Sequence, residues 1–259
     1  MSLHVEPLPL LKDNYAYLVI DDVSARAVVI DPSEAAPVIA SLAARGLRLA
    51  AIWCTHHHFD HTGGVEALAA RVPGVEVVAS AYDREQARVP GQTRAVKSGD
   101  TLEFADITFR VMEVAGHTLG AIAYVGGGHA FTGDTLFLGG CGRLFEGTPV
   151  QMCASLDRLA ALPAATRLWP GHEYTVRNLE FAAQVEPANF VIAARLEAAR
   201  ALRSEGHASV PGSIAEEHAT NPFLRTRAAD IIDYAMRHGA ESTSPADVFA
   251  ALRLAKDQF

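Results

Sequence analysis

The sequence predicts an α/β layered domain followed by a small all-helical domain. Up to about residue 172, short apolar runs alternate with turns and helical segments, whereas Ala, Leu, Arg and Glu dominate after Pro187. Strands mixed with helices in this way indicate an α/β layered architecture. A chain of 259 residues is long enough for two domains. We therefore expect one domain over residues 1–172 and a second over residues 173–259.

Apolar periodicity and turn residues locate the individual elements. Strands are predicted over residues 16–20, 26–30, 49–54, 75–79, 107–114, 121–125 and 129–132, and helices over 34–45 and 65–71. Three glycines at 126–128 predict a hairpin between the last two strands. In the second part, an amphipathic helix that stops at a glycine is predicted over residues 189–206. A capping box begins at Ser213, and Ser244-Pro245 opens a final helix.

The composition excludes several classes of protein. The net charge is −8 and there is no basic tract, which argues against nucleic-acid binding. The N-terminus lacks the pattern of a secretory signal, and no stretch approaches the ~20 apolar residues of a membrane span. We expect a cytoplasmic protein without a membrane partner. Cys54, Cys141 and Cys153 have no regular spacing and are expected to be small buried residues.

A cluster of histidines follows directly after the predicted strand 49–54. On an extended backbone alternate side chains share a face, so His56 and His58 point one way and His57 points the other. Asp60 and His61 come where the chain turns. This loop can therefore offer two imidazoles to one metal ion, and a carboxylate and an imidazole to a neighbouring ion.

Three further donors follow other apolar runs, and each comes directly after a glycine: His117, Asp134 and His172. A single histidine at a strand end is usually an ordinary polar residue. Five histidines and two aspartates in such loops instead predict a metal site, because unpaired buried polar groups are costly. A catalytic zinc takes about three protein ligands and keeps one position open. The other histidines, apart from His57, have no supporting neighbours and are expected not to bind metal: His4, His129, His207, His218 and His238.

The donors in this order resemble the signature of the metallo-β-lactamase superfamily: His56-x-His58-x-Asp60-His61, then His117, Asp134 and His172. The resemblance implies a four-layer αββα sandwich over residues 1–172. It also matches Asp31, which ends the second predicted strand, to a superfamily position that orients a metal ligand.

Within the superfamily the chain resembles the glyoxalase II (hydroxyacylglutathione hydrolase) family. The resemblance rests on residues 55–64, 116–118, 133–137, 141–148, 171–175, 221–225 and 256–259. It implies that His56, His58 and His117 hold one metal, that Asp60, His61 and His172 hold the other, and that Asp134 bridges them. Asp60 and Asp134 are the expected catalytic carboxylates. Two divalent ions are expected, with zinc first and iron or manganese suited to the same ligands.

The resemblance also implies five glutathione contacts: Arg143, Phe145, Tyr174, Arg253 and Lys256. Animal members have lysine at position 143 and tyrosine at position 145. Arginine at position 143 keeps the positive charge, and its guanidinium has a fork of N–H groups that can bind a carboxylate through two hydrogen bonds. Phe145 cannot donate the hydrogen bond that a tyrosine hydroxyl would make. Arg253 and Lys256 are three residues apart on the last predicted helix and so share a face. Without the resemblance, such a pair indicates only a solvated helix face.

The activity implied is hydrolysis of S-(2-hydroxyacyl)glutathione thioesters such as S-D-lactoylglutathione, by a monomer. A persulfide dioxygenase with one iron would need only His56, His58, His117 and Asp134, and another thioesterase on the same fold is also an alternative. A β-lactamase would need a secretory signal, and a nuclease would need a basic surface. A non-catalytic metal-binding scaffold is disfavoured because every ligand position is filled.

Overall fold

Residues 3–259 are described by a computed structural model, in which the chain divides into two units. One unit comprises Met1–Glu113 and Gly120–Gly133, and the other comprises Val114–Leu119 and Asp134–Phe259. The domain boundary after residue 172 stays a prediction. Among the described residues, no helix is both long and apolar enough to cross a membrane.

The first unit contains a sheet whose strands lie side by side in chain order. They are β1 Leu3–Leu10, β2 Asn14–Asp21, β3 Arg26–Ile30, β4 Arg48–Trp53, β5 Glu76–Ser80 and β6 Arg94–Val96. Strands β1 to β3 pair antiparallel, and β3 to β6 pair parallel. The sequence pattern did not predict β1, which contains Pro7 and Pro9. An edge strand tolerates proline because one row of its backbone groups has no ladder partner.

A second, antiparallel sheet of this unit runs in the order β10-β9-β8-β7. Its strands are β7 Thr101–Phe104, β8 Ile107–Glu113, β9 Ile122–Gly126 and β10 His129–Gly133. Gly127 and Gly128 connect β9 to β10 with φ of 59° and 81°, which confirms the predicted hairpin. Trp53 of the first sheet packs on Phe109 and Tyr124 of the second, with ring centroids 5.2 and 5.0 Å away. The two sheets therefore form a sandwich with an aromatic interior.

Helices cover the outer face of the first sheet. The helices of this unit are α1 Ala35–Ala44, α2 Phe59–Thr62, α3 Val65–Arg71 and α4 Ala81–Glu85. Leu18 and Ile20 of β2 join one buried cluster with Val38 of α1 and Leu68 of α3. Tyr17, which precedes Leu18 in the strand, contacts Phe131 instead, at 5.7 Å between ring centroids. Alternate residues of β2 thus serve the helix layer and the sandwich interior.

The second unit is mainly helical. Its helices are α5 Pro149–Ala160, α6 Thr175–Val185, α7 Phe190–Ser204, α8 Ile214–Thr220, α9 Ala229–Arg237 and α10 Pro245–Gln258, with a 3₁₀ turn at Pro222–Leu224. Short strands form two pairs, β11 Leu136–Phe137 with β12 Gly140–Cys141, and β13 Arg167–Pro170 with β14 Gly212–Ser213. The final helix begins at Pro245, as predicted, and the Ser244 side chain caps it. The Ser213 hydroxyl accepts the backbone N–H of Glu216 at the start of α8, and it bonds the Glu216 carboxylate. Strand β14 is a small addition to the part predicted as all-helical.

Candidate metal centre and substrate-facing residues

The histidine loop leaves the end of β4 and turns into α2. Nε2 of His56 lies 3.2 Å from Nδ1 of His58, and the His56 ring is 1% exposed. Two ligands bound to one tetrahedral zinc at ~2.0–2.1 Å are about 3.3 Å apart, so these nitrogens fit a shared ion. His57 faces away, with Nδ1 3.5 Å from a carboxylate oxygen of the buried Asp83. The alternation predicted from an extended backbone agrees with this arrangement.

Asp31 fixes the orientation of His61. Its backbone lies in the left-handed region, with φ of 51°. One carboxylate oxygen accepts the backbone N–H of Thr55, and the other accepts the Thr55 hydroxyl, both at 2.7 Å. The second oxygen also lies 3.0 Å from Nδ1 of His61. Asp31, His56 and His61 offer ligand atoms within 4.8 Å of one another, but the bonds of Asp31 suit an orienting group better than a ligand.

Asp60 is held by residues that the sequence did not single out. The Asn14 side-chain amide donates to the backbone oxygen of Asp60 at 2.9 Å and to its carboxylate at 3.1 Å. The Ser33 hydroxyl donates to the same backbone oxygen. The Asp60 carboxylate then lies 3.9 Å from Nε2 of His61. No sequence motif marks Asn14 or Ser33, because their partners lie 46 and 27 residues along the chain.

The second unit brings three predicted donors together. One carboxylate oxygen of Asp134 lies 3.5 Å from Nε2 of His117 and 3.3 Å from Nε2 of His172. An oxygen between two imidazole nitrogens is in the position that a ligand shared by two ions would take. Nδ1 of His117 lies 2.8 Å from the carbonyl oxygen of Arg143, so Nδ1 carries the proton and donates it. This bond assigns Nε2 of His117 as the nitrogen for a metal.

Close backbone packing around these donors requires glycine. A Cβ atom at Gly142 would lie 1.9 Å from the backbone oxygen of Asp134 and 3.2 Å from Nδ1 of His117. Gly133 has φ of 48°, and a Cβ there would lie 2.3 Å from the Thr55 hydroxyl. Glycine before Asp134 therefore allows the backbone to pass close to Thr55 in a conformation that other residues rarely adopt.

The donor chemistry in each unit fits divalent metal binding. Imidazoles and carboxylates converge at separations typical of ligands that share an ion. Contacts at Nδ1 of His61 and at Nδ1 of His117 orient each ring so that its Nε2 is left for a metal. All three cysteines are free and buried. Burial raises the pKa of the Cys54 thiol well above its ordinary value, which agrees with the prediction that it is a small buried residue.

Two of the predicted substrate contacts are aromatic rings beside the second-unit histidines. The Tyr174 ring stacks on His172 with centroids 4.7 Å apart and an angle of 3° between the planes. Phe145 meets His117 edge-on at 5.2 Å and is 64% exposed. Both rings thus border predicted metal donors, and Phe145 presents apolar surface outward.

The three predicted cations differ in their surroundings. Arg143 is exposed and its Nε lies 3.3 Å from Asp257. Arg253 is buried, where it donates to the carbonyl oxygen of Cys141 at 2.9 Å and to Asp257 at 3.0 Å. Lys256 donates to the carbonyl oxygen of Arg177 at 2.9 Å and lies over the Phe259 ring. Burial, reinforced by the charges of Arg253 and Arg177, lowers the pKa of Lys256 to about 8.

A buried network that the sequence did not reveal anchors the hairpin between Asp134 and Arg143. The carboxylate of Glu217 accepts the backbone N–H of Gly139 and the side-chain amide of Asn221, each at 2.8 Å. The same amide donates to the carbonyl oxygen of Gly140 at 3.0 Å. Asn221 belongs to a segment that carried the family resemblance, so its presence was the available signal.

Comparison with known proteins agrees with this architecture. Residues 12–172 match the family model of the metallo-beta-lactamase superfamily, and residues 173–259 match that of the hydroxyacylglutathione hydrolase C-terminus. A hydroxyacylglutathione hydrolase of Gloeobacter violaceus is 48% identical over 98% of this chain and 99% of its own. Another of Alkalilimnicola ehrlichii is 50% identical over 97% of each chain. The chain belongs to the hydroxyacylglutathione hydrolase family. This membership confirms the predicted family, and the superfamily match confirms the predicted fold class.

Solved structures extend the comparison to more distant members of the fold. ETHE1 from Myxococcus xanthus is 25% identical with a TM-score of 0.66 and covers 99% of this chain and 98% of its own. TTHA1623, crystallised in a di-iron-bound form, is 26% identical with a TM-score of 0.59 over 85% of this chain and 99% of its own. Hydroxyacylglutathione hydrolases therefore share this fold with proteins of other names.

Proposed function

We propose that this protein hydrolyses S-(2-hydroxyacyl)glutathione thioesters, with S-D-lactoylglutathione giving D-lactate and glutathione. The proposal rests on relatives named hydroxyacylglutathione hydrolase, which are 48% and 50% identical to this chain over nearly its full length. The chain has a donor at every position of the expected set. A one-metal dioxygenase would leave Asp60, His61 and His172 without a purpose.

The proposed ligand sets are the following. His56, His58 and His117 hold one divalent ion, Asp60, His61 and His172 hold a second, and Asp134 is shared. Zinc is the proposed metal, and iron or manganese suits the same ligands. Such ions, when bound, supply Lewis acidity and make water acidic enough to attack a thioester near neutral pH. The Asp134 oxygen between two imidazoles supports the shared role.

The residues of this chain bind and orient the substrate in the proposed reaction. Arg143 and Lys256 supply positive charge for the glutathione carboxylates, which a protein of net charge −8 needs locally. Phe145 gives apolar contact rather than a hydroxyl. Asp60, held through Asn14, orients the proton of the attacking water. The thiol of glutathione leaves as thiolate and needs little help from a general acid.

One assay separates the proposed function from its rivals. Purified protein is mixed with S-D-lactoylglutathione, and the loss of thioester absorbance is followed, with metal analysis on the same sample. We expect rapid loss of absorbance and two divalent ions per chain. Oxygen uptake with glutathione persulfide, and one iron per chain, would instead support the dioxygenase. We also propose that the protein is cytoplasmic and monomeric. Sedimentation analysis tests the oligomeric state.

A further inference from the structure

Asp257, near the end of α10, joins two of the predicted substrate-binding arginines. One of its carboxylate oxygens lies 3.0 Å from Nη2 of Arg253 and 3.3 Å from Nε of Arg143. The first arginine is four residues earlier on the same helix, whereas the second lies in the loop after β12. This carboxylate is thus a link between helix and loop, and the sequence had given it no role.

The arginine on the helix is a fixed support. The Arg253 side chain is 8% exposed. Its Nη1 donates to the carbonyl oxygen of Cys141 at 2.9 Å, and its guanidinium lies 5.2 Å from the centre of the Phe223 ring. A guanidinium held by two hydrogen bonds and a ring face has little freedom. Asp257 is therefore held at a defined place relative to residue 141, two positions before Arg143.

The arginine in the loop is exposed and only partly engaged. The Arg143 side chain is 66% exposed, and its contact with Asp257 is made through Nε. Among residues 3–259, its two terminal nitrogens make no hydrogen bond or ion pair. A guanidinium held at Nε keeps its terminal fork for another carboxylate, which that fork binds through two parallel hydrogen bonds. Lysine has no second nitrogen by which it could be held in this way.

We propose that Asp257 is a positioning residue, which holds Arg143 by Nε so that its terminal fork faces a carboxylate of the glutathione moiety. The proposal rests on the proposed function for the identity of the substrate. It gives the arginine at position 143 a specific purpose, because only a guanidinium can be oriented by one edge and bind by the other.

The direction in which KM changes when Asp257 is replaced distinguishes a positioning role from a purely electrostatic one. Asp257 carries a negative charge beside a site for an anionic substrate. If it acted only through that charge, its removal would strengthen substrate binding and lower KM. If it positions Arg143, its removal lets a long side chain move freely and raises KM, because ordering that side chain on binding then costs more.

The test is the variant Asp257→Asn, assayed with S-D-lactoylglutathione at low ionic strength. We expect KM to rise about three- to tenfold, as immobilising one flexible side chain implies, with little change in kcat. Asp157→Asn is the matched control. It removes the same charge from an exposed ion pair with Arg227, at 2.8 Å, that touches none of the predicted site residues. That control should leave KM within about twofold, since neither Asp157 nor Arg227 is a predicted substrate-binding residue.

A double-mutant cycle tests whether Asp257 acts through Arg143. Arg143→Lys alone should raise KM by a similar factor, because the held fork is lost. In the Asp257→Asn background the same replacement should add less than about twofold, since the fork is no longer oriented. Independent, multiplicative effects of the two replacements would overturn the proposal. So would a KM that is unchanged or lowered in Asp257→Asn.

A readout without turnover separates this inference from the proposed function. The Nε–H resonance of Arg143, assigned by its loss in Arg143→Lys, should shift on Asp257→Asn and not on Asp157→Asn. If wild-type protein fails to hydrolyse glutathione thioesters but the resonance shifts as expected, the proposed function fails and the hold on Arg143 stands. If hydrolysis is observed without that shift, the positioning role fails alone.

Discussion

The carboxylate of Asp31 lies 3.0 Å from Nδ1 of His61, although 30 residues separate them in the sequence. Asp31 follows β3 in a left-handed backbone conformation, and it also binds the backbone N–H and hydroxyl of Thr55. One carboxylate thus ties the start of the histidine loop to the last histidine of that loop. This contact determines which nitrogen of His61 can bind a metal.

Replacing Asp31 should therefore weaken metal binding without removing a ligand. We expect Asp31→Asn to lower the affinity for zinc by about 10- to 100-fold, the usual effect of losing an orienting carboxylate. Competition with a chelator of known affinity, followed by metal analysis, measures the change. Asp106→Asn, in the turn between β7 and β8, is the control. Equal metal retention by both variants would show that Asp31 does not orient the ligand.

Loss of a proposed ligand should have a larger effect. His58→Ala and Asp134→Ala should each abolish thioesterase activity and lower the metal content, because each removes a donor from a converging set. Atomic emission on dialysed protein gives the metal content, and circular dichroism checks that the fold persists. His218→Ala is a suitable control, since that histidine bonds a carbonyl oxygen in the helical part. Full activity with full metal content in either ligand variant contradicts the proposed reaction.

The elements predicted well are those with strong local patterns. The helix Val65–Arg71 and the strand Arg26–Ile30 have the predicted bounds, because apolar periodicity and a following turn residue mark both. Strand Leu3–Leu10 was not predicted, because proline suppresses the strand pattern and only the edge position in the sheet makes it acceptable. A run that contains proline is either an edge strand or a loop, and the local sequence does not show which of the two it forms.

Local sequence also predicted only part of the candidate metal and substrate site. The convergence of the proposed metal donors was predictable because histidines and aspartates that recur beside glycines at strand ends are characteristic of metal binding. Their supports were not, because Asn14 and Glu217 act on residues far away in the chain and are ordinary residues in their own neighbourhoods. Arg253 was expected on a helix face with Lys256, but its side chain is buried against the carbonyl oxygen of Cys141. Burial of that kind depends on tertiary packing, which a helical spacing does not reveal.

Substrate affinity should depend on pH through Lys256, whose pKa burial lowers to about 8. Below this pH the ammonium is charged and can attract a glutathione carboxylate. As pH rises through about 8 the charge is lost, so KM should increase between pH 7 and 9. Lys256→Met should raise KM at pH 7 and remove most of this increase. A pH series of initial rates on both proteins measures it, and an identical KM profile in the two would exclude Lys256 as the titrating group.

The same lowered pKa has a consequence for stability with the opposite trend. Unfolded protein binds a proton on this lysine up to its ordinary pKa of 10.5, whereas folded protein releases it near 8. Between these values the unfolded state binds more protons, so the lysine's contribution makes the folded state more stable as pH rises. Urea unfolding at pH 7.5 and pH 9.5 measures the change in the free energy of unfolding between these two pH values. That change should be less favourable to the folded state in Lys256→Met than in wild type. Parallel pH dependences in the two proteins contradict this expectation.

The Glu217 network should be the most sensitive polar element of the helical part. Its carboxylate is fully buried and bonded to Arg195 at 2.6 Å, to Asn221 and to the backbone of Gly139. Glu217→Ala leaves the mostly buried guanidinium of Arg195 without its carboxylate and with only the Thr220 hydroxyl as a partner. Loss of one member of a buried ion pair costs about 3–5 kcal/mol in the free energy of unfolding. Glu180→Ala, which breaks an exposed pair with Arg200, should cost less than about 1 kcal/mol. Urea denaturation of both variants measures the difference, and equal costs would mean that the network does not stabilise the fold.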